Sequence, residues 1–357
     1  MLQKVNGVCI TRDSVNAAVF PRRGWQTIAK KCASRSVPNA TTASRSGVRI
    51  VRMPHTPNRR SFLRKSLAVA GGVAAGSTFD HLPLVARLRG ETTAAADLSS
   101  GKPPAGKIGK LDVTRLICGG NLFSGFAHSG DLLYVSSLLK HYFTADKVLD
   151  TLQQCEETGI NTAVLRTDDH IIGILKRYRK ERGGKIQWIA QTYPKTDNVR
   201  QNIQMAIDNG AVGAFPMGGI ADTWHKEGRT ELIGEAIAFM KQNGLVAGIG
   251  SHSLEVPKSA EAMKLNPDFY FKTMNKVGYE SQDPAEVAAL MKTIKKPWIA
   301  FKILGAGRMT PKDGFEMAYG LGADFVNVGM YDFQVKENVS LAREIISSHA
   351  RRERTWA

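Results

Sequence analysis

The sequence predicts an α/β protein, a single (β/α)8 TIM barrel preceded by a disordered leader. Three observations lead to this fold class. Eight short apolar runs alternate with amphipathic stretches between residues 110 and 350. The turn after the first run, Gly119-Gly120-Asn121, lacks the Gly-x-Gly-x-x-Gly pattern of an open doubly wound sheet. The excess of basic residues lies in the first 110 residues, outside the alternating region.

The apolar runs are predicted strands because each is short, rich in β-branched or apolar residues, and followed by a helical pattern. Several helices have recognisable ends. Thr144 precedes a helix that stops at Gly159, Gly210 and Gly244 end two more, and Pro284 begins another. In chain order the predicted strands are Arg115–Gly119, Thr162–Leu165, Gln187–Gln191, Val212–Phe215, Val246–Ile249, Phe269–Lys272, Trp298–Lys302 and Phe325–Gly329.

The net charge of +17 at pH 7 would by itself favour nucleic acid or an anionic membrane surface as a partner. Residues 1–110 carry 19 of the 49 Lys and Arg residues but 4 of the 32 Asp and Glu residues. The remaining chain therefore holds 30 basic and 28 acidic side chains. Because nucleic-acid binding needs clustered positive charge on the folded domain, we do not expect it here.

An export signal is indicated by a basic segment that runs into a short stretch rich in Ala and Gly. The basic string Arg59-Arg60-Ser61-Phe62-Leu63-Arg64-Lys65 resembles a bacterial twin-arginine (Tat) signal. The apolar stretch is too short for a stable transmembrane span, which needs about 20 residues. The resemblance implies recognition by the Tat machinery and export to the periplasm or cell envelope; a solvated basic helix is the alternative.

The chain divides into four segments. Residues 1–52 form a basic leader, which is either an over-long start assignment before Met53 or an organelle presequence. Residues 53–80 form the signal segment. Residues 81–109 are rich in Ala, Gly, Ser, Pro and Thr and are predicted to be a flexible linker. Residues 110–350 form the barrel, in which Cys118 and Cys155 are expected to be buried and inert.

In such a barrel, polar residues that follow the strands converge at the carboxyl-terminal rim. Lys272 and Lys302 end neighbouring strands, so mutual repulsion would lower one pKa and favour a Schiff base. The alternatives are an anion clamp with Arg166 and Arg308, or salt bridges to carboxylates of the barrel. The candidate catalytic residues are Lys272, Lys302, His252, His170 and Tyr193, and the candidate substrate-binding residues are Asn121, Arg166, Asp168 and Asn275.

Asp168, Asp169 and His170 could suggest a metal site beyond the second predicted strand. Adjacent residues point apart at the start of a helix, and a metal needs three convergent ligands. Capping of the following helix is the simpler role for one of the carboxylates. We therefore expect no metal.

Four stretches resemble the aldo/keto reductase superfamily, and together they span most of residues 111–345. The first is Cys118-Gly119-Gly120-Asn121, and the second is the turn Gly248-Ile249-Gly250-Ser251-His252-Ser253. The third is the segment from Trp298 to Thr310, which contains Lys302 and Gly305-Ala306-Gly307-Arg308. The fourth is Val328-Gly329-Met330 followed by Val335-Lys336-Glu337-Asn338.

The resemblance implies reduction of carbonyl compounds with a nicotinamide cofactor, NAD or NADP. The positions that match the family's cofactor contacts are Ser251, Gly305, Gly307, Arg308, Gln334, Glu337 and Asn338. The family uses a tyrosine, a lysine, an aspartate and a histidine for proton transfer, and this sequence departs from that pattern at all four positions. Val164 stands at the aspartate position, Leu165 near the tyrosine, Gln191 or Thr192 near the lysine, and Met217 near the histidine.

The sequence therefore favours an exported barrel of aldo/keto reductase type that acts on a carbonyl or sugar-like small molecule. Tyr193, with Lys195 two residues later, is the candidate substitute for the missing tyrosine. Two alternatives remain: a non-redox lyase or isomerase that uses Lys272, Lys302 and His252, and a barrel that binds a ligand without catalysis.

Overall fold

The structure is a computed structural model that describes residues 101–126, 132 and 134–357. The predicted leader, the predicted signal segment and residues 81–100 of the predicted linker lie outside the described residues. Export and recognition by the Tat machinery therefore stay predictions. Within the described end of that linker, residues 105–108 form a strand, so the folded region includes residues before 110.

Eight parallel strands form a closed barrel, which confirms the predicted fold class. An antiparallel hairpin of β1 (Ala105–Ile108) and β2 (Leu111–Thr114) precedes it. The barrel strands are β3 (Leu116–Gly119), β4 (Thr162–Arg166), β5 (Gln187–Thr192), β6 (Gly213–Pro216), β7 (Val246–Ser251), β8 (Phe269–Thr273), β9 (Trp298–Phe301) and β10 (Phe325–Gly329). They follow chain order around the barrel, and β10 closes it by pairing with β3.

The helices connect successive strands and surround the barrel. Two helices follow β3 and two follow β6, whereas the other connections carry one each. The helices are α1 (Tyr134–Tyr142), α2 (Ala145–Glu157), α3 (Asp169–Arg182), α4 (Arg200–Asp208), α5 (Gly218–Lys226), α6 (Glu231–Gln242), α7 (Glu255–Ala262), α8 (Pro284–Thr293), α9 (Pro311–Gly320) and α10 (Val335–Ser348). In the described part of the chain, no helix is both long enough and apolar enough to cross a membrane.

Side-chain caps explain several helix boundaries. The Thr144 hydroxyl accepts a hydrogen bond from the Lys147 N–H in the first turn of α2, and the Asp283 carboxylate accepts one from the Ala285 N–H in the first turn of α8. Asp168 caps α3 by accepting a hydrogen bond from the Ile171 N–H at 3.0 Å, which confirms the capping role expected for one carboxylate of this segment.

Strand β9 ends one residue earlier than predicted because Lys302 has a left-handed backbone, with φ of 56°.

The apolar core has two layers. One layer lies between the barrel and its helices, and the other fills the inside of the barrel. The hairpin contributes to the inner layer, because Ile108, Leu111 and Val113 pack in the same cluster as Phe269 and Phe325. The hairpin therefore covers the amino-terminal end of the barrel and leaves the carboxyl-terminal rim for a site.

A buried ion cluster lies at the start of β10. The Asp324 carboxylate is fully buried and accepts hydrogen bonds from Arg352 at 2.9 Å and from Arg354 at 2.5 Å. The backbone N–H groups of Trp298 and Ala357 also donate to it, each at 3.0 Å. This carboxylate thus attaches the segment after α10 to the barrel.

Cys118 on β3 and Cys155 on α2 are buried and are not joined in a disulfide, as expected. A hydrogen bond with Cys118 and the burial of the thiol together raise the pKa of Cys155 well above its usual value. Because the thiolate is the reactive form, this thiol is poorly reactive in the folded chain.

The substitution Asp324→Asn tests the buried ion cluster. It leaves two buried guanidinium groups without a counter-charge, so we expect the free energy of unfolding to fall by about 3 kcal/mol or more. Urea unfolding followed by circular dichroism measures this loss. The control is Glu235→Gln in the exposed pair with Arg200, which should change stability by about 0.5 kcal/mol at most. Similar losses for the two variants would contradict the prediction.

Candidate active site

A cavity of about 690 Å³ opens at the carboxyl-terminal rim of the barrel. Its size is in the range of pockets that hold small molecules, about 300–1,000 Å³. Its floor is aromatic, since Phe271 and Phe301 stack with ring centroids 4.2 Å apart and Phe215 lies against Phe271. The polar and charged residues of its wall are Asn121, Arg166, Gln191, Tyr193, His252, Tyr279, Glu280, Lys302, Asn327, Tyr331 and Gln334.

The long connection after β3 covers one side of the cavity. Leu122 and Phe126 line the cavity from the turn after β3, and Val135 and Leu139 line it from α1. Because these side chains are apolar, they exclude water from this side of the site. Two polar residues of the same connection, His128 and Asp131, lie outside the described residues.

Asp222 fixes the orientation of His252. Nδ1 of His252 donates to the Asp222 carboxylate at 2.8 Å, and the backbone N–H groups of His252 and Ser253 donate to the same carboxylate. Burial raises the pKa of Asp222, but these hydrogen bonds outweigh burial and leave the pKa below its usual value. The carboxylate is therefore ionised, holds the proton on Nδ1 and leaves Nε2 on the cavity side.

Lys302 and Glu280 form an ion pair in the cavity wall, next to His252. Lys302 Nζ contacts the Glu280 carboxylate, and His252 Nε2 lies 3.5 Å from the same carboxylate oxygen. The Lys302 ammonium also lies 5.2 Å from the centre of the Tyr279 ring. Burial lowers the pKa of Lys302 to about 8, although the negative charge of Asp222 opposes the shift.

Arg166 and Tyr193 form a second polar group in the wall. The guanidinium of Arg166 lies between two aromatic rings, 4.5 Å from the centre of Phe126 and 4.2 Å from the centre of Tyr193. It donates to the Tyr193 hydroxyl oxygen at 2.5 Å and to Asp168 at 2.9 Å. The Gln191 amide donates to the same hydroxyl oxygen. Burial raises the pKa of Tyr193, with the Arg166 charge opposing it.

The structure separates the two lysines that the sequence pairs. Lys302 lines the cavity, whereas Lys272 is fully buried and does not. The Lys272 ammonium donates to the His252 carbonyl at 2.8 Å and to the Thr273 hydroxyl at 2.9 Å, and the Gln282 amide oxygen is a further acceptor. Burial lowers its pKa to about 7. The two shifts thus come from burial, and not from the mutual repulsion that the sequence suggests.

Seven of the predicted site residues line the cavity: Asn121, Arg166, Tyr193, His252, Lys302, Gly307 and Gln334. The others lie elsewhere. His170 is exposed on α3, Asp168 caps that helix, and Asn275 is buried in hydrogen bonds with the Tyr279 backbone. Of the predicted cofactor contacts, Ser251, Gly305 and Asn338 are buried outside the lining, and Arg308 and Glu337 are exposed.

Two functional candidates are not visible in the strand-end pattern. Asp222 lies inside α5, and Glu280 lies seven residues after the end of β8. Both reach the site through tertiary contacts with His252. Asn327 is a third such residue: it lies within β10 and not after it, and it faces the barrel interior through the alternation of side chains along the strand.

The wall between β9 and β10 has features that fit a nicotinamide ring. The Asn327 Oδ1 atom is buried without a hydrogen-bond partner and belongs to a cavity residue. It can accept a hydrogen bond from the NH₂ of a carboxamide. Gly307, with φ of 82°, has open space where a side chain would lie, and Gln334 continues the same wall.

Among the described residues, no group of three His, Cys, Asp or Glu side chains is placed to hold a metal ion.

No protein-family model matches the chain, and no curated protein matches it either. Among solved structures, the chain is similar to two structures assigned as an aldo-keto reductase from Pseudomonas aeruginosa, with sequence identities of 16% and 18%. Both have a TM-score of 0.50, and both matches cover 70% of this chain and 96% of the other. A structure solved with NADPH matches at 9% identity and a TM-score of 0.49, over 68% of this chain and 88% of that one. The two matches with a TM-score of 0.50 show a shared barrel fold.

The pKa of Lys272 predicts a pH dependence of stability. Between about pH 7 and 10.5 the unfolded chain holds this proton and the folded chain does not, so the free energy of unfolding rises with pH. The slope is about 1.4 kcal/mol per pH unit. Lys272→Met removes this pH dependence. The difference in the free energy of unfolding between the wild type and the variant should therefore grow by about 2.5 kcal/mol from pH 7.5 to 9.5.

Urea unfolding at the two pH values gives the required difference. Lys272→Met leaves hydrogen-bond acceptors unpaired, which lowers the free energy of unfolding at both pH values. The informative measurement is therefore how the stability difference between the wild type and the variant changes with pH. Lys176→Met, at an exposed position of α3, is the matched control and should show a constant difference. A constant deficit for Lys272→Met would mean that the buried amine keeps its proton.

Proposed function

We propose that the chain is an oxidoreductase of aldo-keto reductase type, which reduces a small carbonyl compound or sugar-like molecule with a nicotinamide cofactor. One observation carries the proposal: the Tyr193 hydroxyl belongs to the cavity wall and accepts hydrogen bonds from Arg166 and Gln191. The shared fold with the structures of aldo-keto reductases supports it at the level of the barrel.

Tyr193 acts as the proton donor in this proposal. Reduction of a carbonyl develops negative charge on its oxygen, which must receive a proton. Burial keeps the proton on Tyr193 at neutral pH. Because Arg166 and Gln191 both donate to the hydroxyl oxygen, the O–H hydrogen is free to point to a substrate oxygen. The same two donors stabilise the phenolate that remains after the proton has left.

His252, at the rim directly after β7, orients the substrate. Nδ1 donates to Asp222, so Nε2 faces the cavity as an acceptor for a hydroxyl group of the substrate. The apolar floor and the covering side chains of α1 exclude water, which strengthens both polar contacts.

A nicotinamide dinucleotide would be held along the wall between β9 and β10. Asn327 would accept from its carboxamide, and Gly307 and Gln334 would face the remainder of the molecule. When bound, the cofactor supplies the hydride. Gln334 is neutral, so this position offers no cation for a 2′-phosphate, which favours NAD over NADP.

Binding of the cofactor is tested by titrating the purified protein with NADH and with NADPH while tryptophan emission is followed. We expect quenching, with tighter binding of NADH. Asn327→Leu should weaken binding several-fold, because it removes one hydrogen bond to the carboxamide. Flat titrations with both cofactors would end the redox proposal.

Tyr193→Phe tests the proton donor. Loss of a general acid lowers kcat by about 10²-fold or more, measured as oxidation of NADH with a panel of aldehydes and ketones. The affinity for NADH should remain within about twofold of the wild type. Tyr134→Phe, at an exposed tyrosine of α1, is the control. An undiminished kcat for Tyr193→Phe would remove this residue from the mechanism.

A second candidate function is a lyase or isomerase that forms a Schiff base at Lys302. The lowered pKa of this amine in the cavity wall favours it. The neutral amine would attack a substrate carbonyl, lose water and form an imine. Borohydride reduction should then attach the substrate covalently to the wild type and not to Lys302→Met. Equal labelling of the two proteins would exclude this chemistry.

A further inference from the structure

We infer that Lys302 is the cation of an anion subsite beside His252, which the Glu280 carboxylate occupies and a substrate carboxylate takes over. The inference deepens the proposed function, on which it rests, because it assigns the substrate to the carbonyl compounds that carry a carboxylate, such as 2-oxo acids. Glu280 then acts as an internal competitor.

The contacts of Glu280 are those of a bound carboxylate. One oxygen, Oε2, faces both Lys302 Nζ and His252 Nε2, with the latter at 3.5 Å. A substrate carboxylate in the same place would accept a hydrogen bond from the Lys302 ammonium, as Glu280 does. Charge-assisted hydrogen bonds of this kind are about twice as strong as neutral ones, so the position selects for an anion.

The basic groups of the subsite are fixed, and Glu280 is the movable part. Asp222 anchors the His252 ring, and the Lys302 side chain is only 10% exposed. The Glu280 side chain is 46% exposed and lies in the connection between β8 and α8. The carboxylate can therefore rotate towards solvent while the imidazole and the ammonium stay in place.

The backbone of Glu280 also favours exchange. Its φ is 47°, in the left-handed region that residues other than glycine rarely adopt because the Cβ atom lies too close to the backbone. Asn275 holds the preceding part of the connection through two hydrogen bonds with the Tyr279 backbone, at 2.8 and 2.9 Å. Movement of Glu280 can thus relieve strain without displacing the rest of the connection.

The charges of the cavity match an anionic ligand. Among the lining residues that the structure describes, Glu280 is the single carboxylate, whereas Arg166 and Lys302 are both cations. Asp168 pairs with Arg166, so once Glu280 has rotated away Lys302 is the wall cation whose ion-pair partner has left. A substrate carboxylate restores the balance, and a neutral carbonyl compound does not.

The experiment measures binding of pyruvate, and of acetone as the neutral counterpart, to the full chain by isothermal titration calorimetry. While Glu280 occupies the subsite, pyruvate cannot bind there. The apparent affinity for pyruvate therefore equals the intrinsic affinity multiplied by the fraction of molecules whose subsite is free. Glu280→Gln should therefore bind pyruvate about tenfold more tightly than the wild type, and the affinity for acetone should not change. Glu255→Gln, at an exposed glutamate paired with Lys258 on α7, is the matched control.

Adding Lys302→Met to Glu280→Gln should cancel the gain for pyruvate, because the cation of the subsite is then absent. Equal affinities of the wild type and Glu280→Gln for pyruvate would overturn the inference, and so would an equal gain for acetone. Circular dichroism verifies that each variant is folded.

Binding of pyruvate is measured without turnover, so the two proposals fail separately. A gain for pyruvate in a protein that binds neither NADH nor NADPH would leave the subsite in place and remove the redox function. If the protein reduces carbonyl compounds but Glu280→Gln does not change its affinity for pyruvate, the redox function stands and the anion subsite is removed.

Discussion

Closure of the parallel sheet is the constraint on which the site depends. The pairing of β10 with β3, from Val326 beside Leu116 to Gly329 beside Gly119, turns eight consecutive strands into a ring. All strands run in the same direction, so their carboxyl ends surround one opening. Residues as distant in the chain as Arg166 and Lys302 therefore belong to the wall of one cavity. The hairpin at the other end of the barrel leaves this opening as the place for a ligand.

The fold follows from the sequence because short continuous apolar runs and amphipathic stretches with a period of 3.6 are local signals. The chemistry follows only in part. Arg166, Tyr193 and His252 are found by their place after a strand, since the topology brings such positions together. Asp222 and Glu280 are not found in this way, because their contacts with the site are tertiary.

Side-chain direction is a further limit of sequence reasoning, as the two lysines show. Lys272 lies within β8 and donates to backbone and side-chain acceptors of its own rim, whereas Lys302 leaves β9 with a left-handed backbone and reaches the cavity wall. Nothing in the local pattern distinguishes the two positions. Burial lowers the pKa of both amines, but only Lys302 lies in the cavity wall, where its amine can contact a ligand.

The buried thiols of Cys118 and Cys155 have a practical consequence. Both are enclosed between the barrel and its helices, and the raised pKa of Cys155 keeps it in the unreactive protonated form. An alkylating reagent can reach these sulfur atoms only when the barrel opens. The rate at which the two cysteines are labelled then reports how often β3 and α2 separate, and it does so in native buffer, without denaturant.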